Sequence, residues 1–442
     1  MTEVGPRWTR ISVPLVVLLI AAVIRLWGLP SPQSMYWDEQ YYVFDAEVYI
    51  GGGIGQPVGE PPAVKIADEG TWIHPPLGKW VIALLGVGPM GLRPIGWRLP
   101  SAVFGIAGVA LLYLLAFRLW RSEWWAGLAA LLLALDGLHI VQSRMAMLDI
   151  FLTTFIAAGL VFLVFDRERM DGGSSPGRWP RIDRVFGSPY RLWSGVFLGA
   201  AVATKWSGFF ALVLAAGLCS VWVFTGGRRA GRTSLAIAGA LIMSFAVIPL
   251  GVYLVSYGSF FYQHGPAIRD FLTLQLRMLH YQQHHLRIQP ENSQPWTWPL
   301  LLHPIQYYRQ DSGSVANAIV ALGNPALWWG FLALLPVGLF TVARRPTWRD
   351  ALVFGGYLAM FLPWLIVPRS QFLFYMLPAV PFMCLGVVAI LRGLPRRAAQ
   401  VSGIAFASIV GLVAIAYLPA WTGWTTSASW LRSLRILSDW PL

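Results

Sequence analysis

Two carboxylates stand side by side in the stretch MYWDEQYYVFDA, residues 35–46, just after an apolar run. Asp38 and Glu39 are flanked by Tyr36, Trp37, Tyr41 and Tyr42. A carboxylate that reaches an attacking hydroxyl can serve as general base, worth about 10² to 10⁴ in rate. Its neighbour can orient a substrate or hold a cation. Aromatic faces carrying hydroxyl and indole donors suit a sugar at a wet edge. Taken alone, the pair also reads as two solvated loop acids.

Cations form the second group. TWIHPPLGKW, residues 71–80, holds His74 and Lys79 at a spacing stiffened by Pro75 and Pro76. Lys79 at a membrane surface meets a lipid phosphate or simply snorkels. LDGLHIVQSRMAMLDIF, residues 135–151, places Asp136, His139, Arg144 and Asp149 around a short turn between apolar runs. Ionisable groups at that depth are costly and default to functional candidates, although an Arg144–Asp149 pair tying two helices is an equal reading. Lys205, in ATKWSGFF, interrupts a long apolar stretch and needs either a carboxylate or an anionic ligand, for which phosphate is the natural choice. Arg369, in VPRSQFLFYMLP, is an interface anchor or a further phosphate contact. The segment 256–316 carries His264, His280, His284, His285 and His303. A helix would put His280 and His284 on one face, but no HExxH is present, so no metal site is expected.

The elements that must position these groups are set by composition. Of 442 residues, 56% are hydrophobic and 12% charged, against about 25% charged in a soluble domain. Apolar runs of roughly 18 residues or more recur, long enough to cross a bilayer core. The chain reads as an all-α polytopic membrane protein. We place eleven spans near 11–29, 99–117, 124–138, 147–165, 192–204, 207–224, 235–255, 317–342, 351–367, 371–391 and 400–420. With the N-terminus cytoplasmic, the inside segments carry 19 of the 33 basic residues, as the positive-inside rule asks, and the C-terminus falls outside. The net charge of +13 is therefore a topology signal and not a nucleic-acid surface. The first run reads as a retained anchor, and Cys219 and Cys384 lie in apolar runs without a disulfide pattern. LGKWVIALLGVGPM, residues 77–90, is too short for a span at about 21 Å and reads as interfacial or re-entrant. One membrane domain, 1–442, then presents two large outer loops, 30–98 and 256–316. GGGIG at 51–55 lacks the pattern of a phosphate loop, and 171–191 is a polar inner loop.

WDEQYYVFDA, HPPLGKW, RLPSAVFG, LDGLHIVQSRMAMLD, ATKWSG, WPLLLHPIQYY and FLFYMLPAVPF, in this order along the chain, resemble the protein O-mannosyltransferases. These are the glycosyltransferase family 39 members of the GT-C fold, here in their bacterial branch. The resemblance implies a cell-membrane enzyme with about eleven spans and its active site on the extracytoplasmic side. It implies transfer of mannose from polyprenyl-phosphate mannose to Ser or Thr hydroxyls of exported proteins, with inversion and without a metal cofactor. Asp38 matches the family's base and Glu39 its acidic partner. Arg98, Arg144 and Lys205 match motif cations. From the residues themselves, His74, Lys79 and Arg369 are read as further donor contacts, with Asp149, Tyr41, Tyr42 and His303 in support. Partners would be membrane lipids and the secretion translocon, with no nucleic acid. The MIR-type soluble domain of eukaryotic members has no counterpart in the second outer loop. A GT-C transferase acting on a lipid or cell-wall glycan shares the acidic pair, and a secondary transporter is the reading from another class.

Overall fold

The computed structural model describes residues 9–51, 73–171, 188–227, 234–284 and 291–442. Residues 52–55 of the glycine run, 172–187 of the polar loop, the RRAGR segment and His285 lie outside the described residues.

Helix α1, Thr9–Leu26, leads into an irregular segment and α2, Glu39–Tyr49. Helix α3, Leu77–Met90, is the short apolar element expected over 77–90. Next come α4, Pro94–Trp120, α5, Glu123–Ala134, α6, Gly137–Ser143, and α7, Leu148–Asp171. Helices α8, Pro189–Thr204, and α9, Gly208–Gly227, form the hairpin expected around Lys205. Helix α10, Leu235–Ser256, is followed by α11, Gly258–His264, and α12, Ile268–His284. The C-terminal part comprises α13, Pro325–Arg344, α14, Trp348–Phe361, α15, Leu373–Leu391, α16, Arg396–Thr422, and α17, Ala428–Ser433.

The boundaries follow local chemistry. Pro94, Pro189 and Pro325 sit in first turns, where a missing N–H costs nothing. Asn324, Ser188 and Thr347 cap their helices by accepting backbone N–H groups with their side chains. Asp136 breaks the expected span 124–138: α5 and α6 meet at a 65° bend because its carboxylate caps α6. The same carboxylate also accepts from the Asn324 amide and the Trp328 indole, at 3.0 and 2.8 Å.

Among the described residues, six helices are long and apolar enough to cross a membrane, or seven counting α5 with α6. Helices α7 and α15 are central, with 83% and 89% of their apolar windows buried. Helices α13 and α16 bury only 22% and leave apolar faces outward, as lipid-facing helices do.

The expectation of an all-helical chain needs correction. A three-stranded antiparallel sheet, β1–β2–β3, joins Ile305–Ser312, Val315–Ala321 and Thr426–Ser427. The expected span 317–342 therefore starts as strand, and α13 begins only at Pro325. The reason is the run QYYRQDSGSVANAIV: β-prone residues around a Gly313 in left-handed geometry (φ 63°) favour a hairpin over a helix start.

Candidate active site

The acidic pair splits at the start of α2. Asp38 takes the N-cap position, yet its side chain accepts no backbone N–H of the helix. Its carboxylate instead receives the Tyr42 hydroxyl from the next turn. It is partly exposed, whereas Glu39 is fully buried. Burial pushes the Asp38 carboxyl up to about 6, with Lys205 and Arg369 opposing the rise and Asp149 adding to it. These charges converge on Asp38 from three separate segments. The preceding residue, Trp37, is held in left-handed backbone (φ 52°), a conformation costing a bulky residue about 1–3 kcal/mol. Its ring is held against Tyr307 at 4.9 Å and edge-on to Phe372 at 6.1 Å.

Glu39 does different work. Arg98 grips it in a two-pronged fork, Nε to Oε1 and Nη2 to Oε2, both 2.9 Å, with both side chains buried. Glu39 also accepts the Ala146 amide at 3.1 Å, and Arg98 donates to the carbonyls of Leu29, Pro32 and Ser34. The pair therefore pins the loop before α2 to α4 and to the α6–α7 turn. Arg98, expected among the phosphate cations, already has every donor directed at this loop.

Two more expected cations are likewise engaged by partners within the protein. Arg144 donates to the carbonyls of Ile24, Arg25 and Trp27 at 2.9–3.0 Å. These are orphan acceptors at the end of α1, where a cation is favoured. Lys79 lies buried 2.8 Å from Asp45, linking α3 to α2 instead of meeting the lipid surface. The Arg144–Asp149 pairing does not form. Asp149 accepts Lys205 Nζ at 2.9 and 3.0 Å, because the start of α7 faces the α8–α9 turn. Gly78 permits this approach: a Cβ there would lie 2.8 Å from Leu148 and 2.9 Å from Thr204, which flank the two charged residues.

The cations whose charges act on Asp38 are Lys205 and Arg369. Lys205 Nζ also sits 4.5 Å from the centroid of the Tyr375 ring. Arg369 is partly exposed and has neutral partners, the Tyr375 hydroxyl at 2.9 Å, the Ser370 carbonyl at 3.2 Å and the Gln282 amide. His74 packs against Tyr42 with ring centroids 6.5 Å apart. Burial and then the charges of Lys205, Arg369 and Lys79 push its imidazole well below its usual range, so it is a neutral donor–acceptor. Tyr41, beside Tyr42 on α2, is partly buried, and its amide donates to the Asp38 carbonyl at 3.1 Å. His303 is exposed in the bend before β1.

The strand supplies a residue that sequence reading missed. A bulge between Gln306 and Tyr308 leaves Tyr307 out of the ladder and turns it inward. Its hydroxyl accepts from Gln142 Nε2 at 2.8 Å, beneath the Trp37 ring. Tyr375 and Gln282 were also missed. The motifs WPLLLHPIQYY and FLFYMLPAVPF hold both tyrosines, but periodicity does not tell a site tyrosine from a core one. Helix α12 stacks His280 on His284 with ring centroids 4.2 Å apart, and among the described residues no three His, Cys, Asp or Glu gather as a metal set.

One partly exposed carboxylate, its carboxyl pushed up to about 6 by burial, feels the charges of an ammonium and a guanidinium among aromatic rings. That arrangement can take a proton from a hydroxyl while an anionic leaving group is held nearby. Comparisons with known proteins identify the family. The dolichyl-phosphate-mannose-protein mannosyltransferase family model matches residues 15–264, and that of the C-terminal four-transmembrane region of protein-O-mannosyltransferase matches 267–440. The polyprenol-phosphate-mannose–protein mannosyltransferase of Mycolicibacterium smegmatis (strain MKD8) is 32% identical, over 85% of this chain and 80% of its own. The fold matches that of the S. cerevisiae protein O-mannosyltransferase Pmt1-Pmt2 complex bound to the sugar donor, with TM-score 0.82 and 15% identity over 100% of this chain and 93% of that one. It also matches ArnT from Cupriavidus metallidurans bound to undecaprenyl phosphate, a GT-C membrane enzyme, with TM-score 0.57 and 17% identity over 92% and 64%. With both halves of the sequence matched by the two family models, the chain is a glycosyltransferase that belongs to the dolichyl-phosphate-mannose-protein mannosyltransferase family.

Proposed function

We propose that this protein transfers mannose from polyprenyl-phosphate mannose to Ser or Thr hydroxyls of exported polypeptides, with Asp38 as the base. The observation that carries the reading is the asymmetry of the acidic pair: Glu39 is saturated by Arg98, while Asp38 stays accessible, with a carboxyl raised to about 6. The acceptor hydroxyl gives its proton to Asp38 as its oxygen bonds to the anomeric carbon. The bond from that carbon to the phosphate oxygen breaks in the same displacement, and the electron pair leaves with the polyprenyl phosphate. One displacement inverts the anomeric centre. Arg369 and Lys205 stabilise the charge that grows on the departing phosphate. The neutral His74 and the Tyr41, Tyr42, Trp37 and Tyr307 wall contact the sugar.

The chain forms one membrane domain of eleven spans, with the N-terminus cytoplasmic, the C-terminus extracytoplasmic and the site on the outer side of the cell membrane. The outer loops 30–98 and 256–316 meet the donor and the emerging polypeptide, delivered by the secretion translocon. Membranes holding the wild type are expected to label a Ser/Thr/Pro-rich peptide from radiolabelled polyprenyl-phosphate mannose, and Asp38→Asn is expected to lower transfer by about 10² or more. Full transfer by the variant, or label appearing in a lipid and in no peptide, would contradict the reading.

A further inference from the structure

Gln282 is a second residue, besides Tyr307, through which the segment 256–316 reaches the site. It lies in the last turn of α12, and its side-chain amide bridges two segments far apart in sequence. Its Oε1 accepts Arg369 Nη1, and its Nε2 donates to the Ile73 carbonyl at 2.9 Å, next to His74. A head group that accepts on one side and donates on the other, without charge, is what Asn and Gln offer. A carboxylate here would neutralise Arg369, and an ammonium or guanidinium would repel it. The remaining Arg369 partners, Tyr375 and Ser370, are neutral too, so the guanidinium is oriented with its charge intact.

Helix α12 is itself fixed. Phe271, Leu274 and Met278 are buried against Tyr257 and Phe260. The Tyr253 hydroxyl donates to Gln275 at 2.6 Å and accepts from the Trp206 indole at 2.9 Å. Trp206 adjoins Lys205. One helix therefore holds the Lys205 turn at its middle and Arg369 at its end. Its other face exposes Ile268, Leu272, Leu276 and Leu279.

We infer that Gln282 is a positioning residue of the donor site, holding Arg369 against the His74 segment so that the guanidinium meets the donor phosphate. This rests on the reading of Arg369 as a phosphate contact. Gln282 exchanges no proton with substrate and acts through Arg369, so its loss bears on donor capture more than on the chemical step.

Donor KM and kcat are to be measured with polyprenyl-phosphate mannose and a fixed peptide for Gln282→Ala, Gln282→Glu, Arg369→Ala and the double variant Gln282→Ala with Arg369→Ala. Gln282→Ala is expected to raise donor KM about tenfold, with kcat within about twofold, as loss of one charge-assisted hydrogen bond implies. Gln282→Glu raises it further, because its carboxylate competes with the phosphate for Arg369. The double variant is no worse than Arg369→Ala alone, since Gln282 has nothing left to position. Unchanged KM in both Gln282 variants beside a raised KM in Arg369→Ala overturns the proposal, as does simple additivity in the double variant. An unchanged KM in Arg369→Ala removes the donor reading of Arg369 and the proposal with it. If the alanine variant fails to reach the membrane, the isosteric Gln282→Glu decides alone.

Discussion

At the scale of single residues, the chemistry turns on which charges are spent and which remain available. Glu39, Arg98, Lys79, Asp45 and Arg144 are committed to one another or to helix-end carbonyls. Asp38 and Arg369, of opposite sign, are both partly exposed. The raised carboxyl of Asp38 gives a pH test. A base works only when ionised, so kcat/KM is expected to climb with pH through about 6 and to sit about tenfold below its plateau at pH 5. Arg369 and Lys205 lower that value, so Arg369→Ala moves the acidic limb to higher pH. A flat profile between pH 5 and 7 would remove Asp38 from the base role. Adjacent residue types made the acidic pair visible in the sequence. Which of the two is free was not visible, because that depends on Arg98, some sixty positions away, folding back over the loop.

Among elements, buried ion pairs decide which helices meet. Cutting Glu39 from Arg98 by Arg98→Ala leaves a buried carboxylate uncompensated, a loss of about 3–5 kcal/mol. Detergent-solubilised variant protein is expected to melt markedly lower than wild type, and an unchanged melting temperature would show the fork to be dispensable. Arg144→Ala is expected to act likewise, loosening the end of α1 while leaving donor KM of the surviving enzyme near wild type. The Asp149–Lys205 pair separates structure from function. Asp149→Leu combined with Lys205→Met replaces a buried pair by apolar bulk, which is often neutral or stabilising. That double variant is expected to fold and yet to use donor poorly, with a KM raised about tenfold or more if Lys205 faces the phosphate. Normal donor kinetics would make the pair purely structural. Apolar run lengths and the Lys205 break marked most helices to within a few residues. The bend at Asp136 and the β1–β2 hairpin were hidden, since an apolar run does not say whether its partner is a helix, a strand or lipid.

For the molecule as a whole, the charge distribution predicts an outer active site. A reporter active only outside the cytoplasm, fused after Leu442, is expected to be active, and one fused after Arg397 inactive; the reverse pattern would invert the topology. Sequence alone determined that this is a polytopic membrane chain, because a bilayer admits few ways to bury so much apolar surface. It also marked Asp38, Lys205 and Arg369 as candidates, because ionisable groups between apolar runs are costly and conspicuous. Only the tertiary structure decided that Asp38 is available while Glu39 is not, that Lys205 answers Asp149, and that Tyr307 and Gln282 reach the same site. Those facts depend on side chains tens to hundreds of residues apart meeting within hydrogen-bond distance, and no local pattern along the chain records such a meeting.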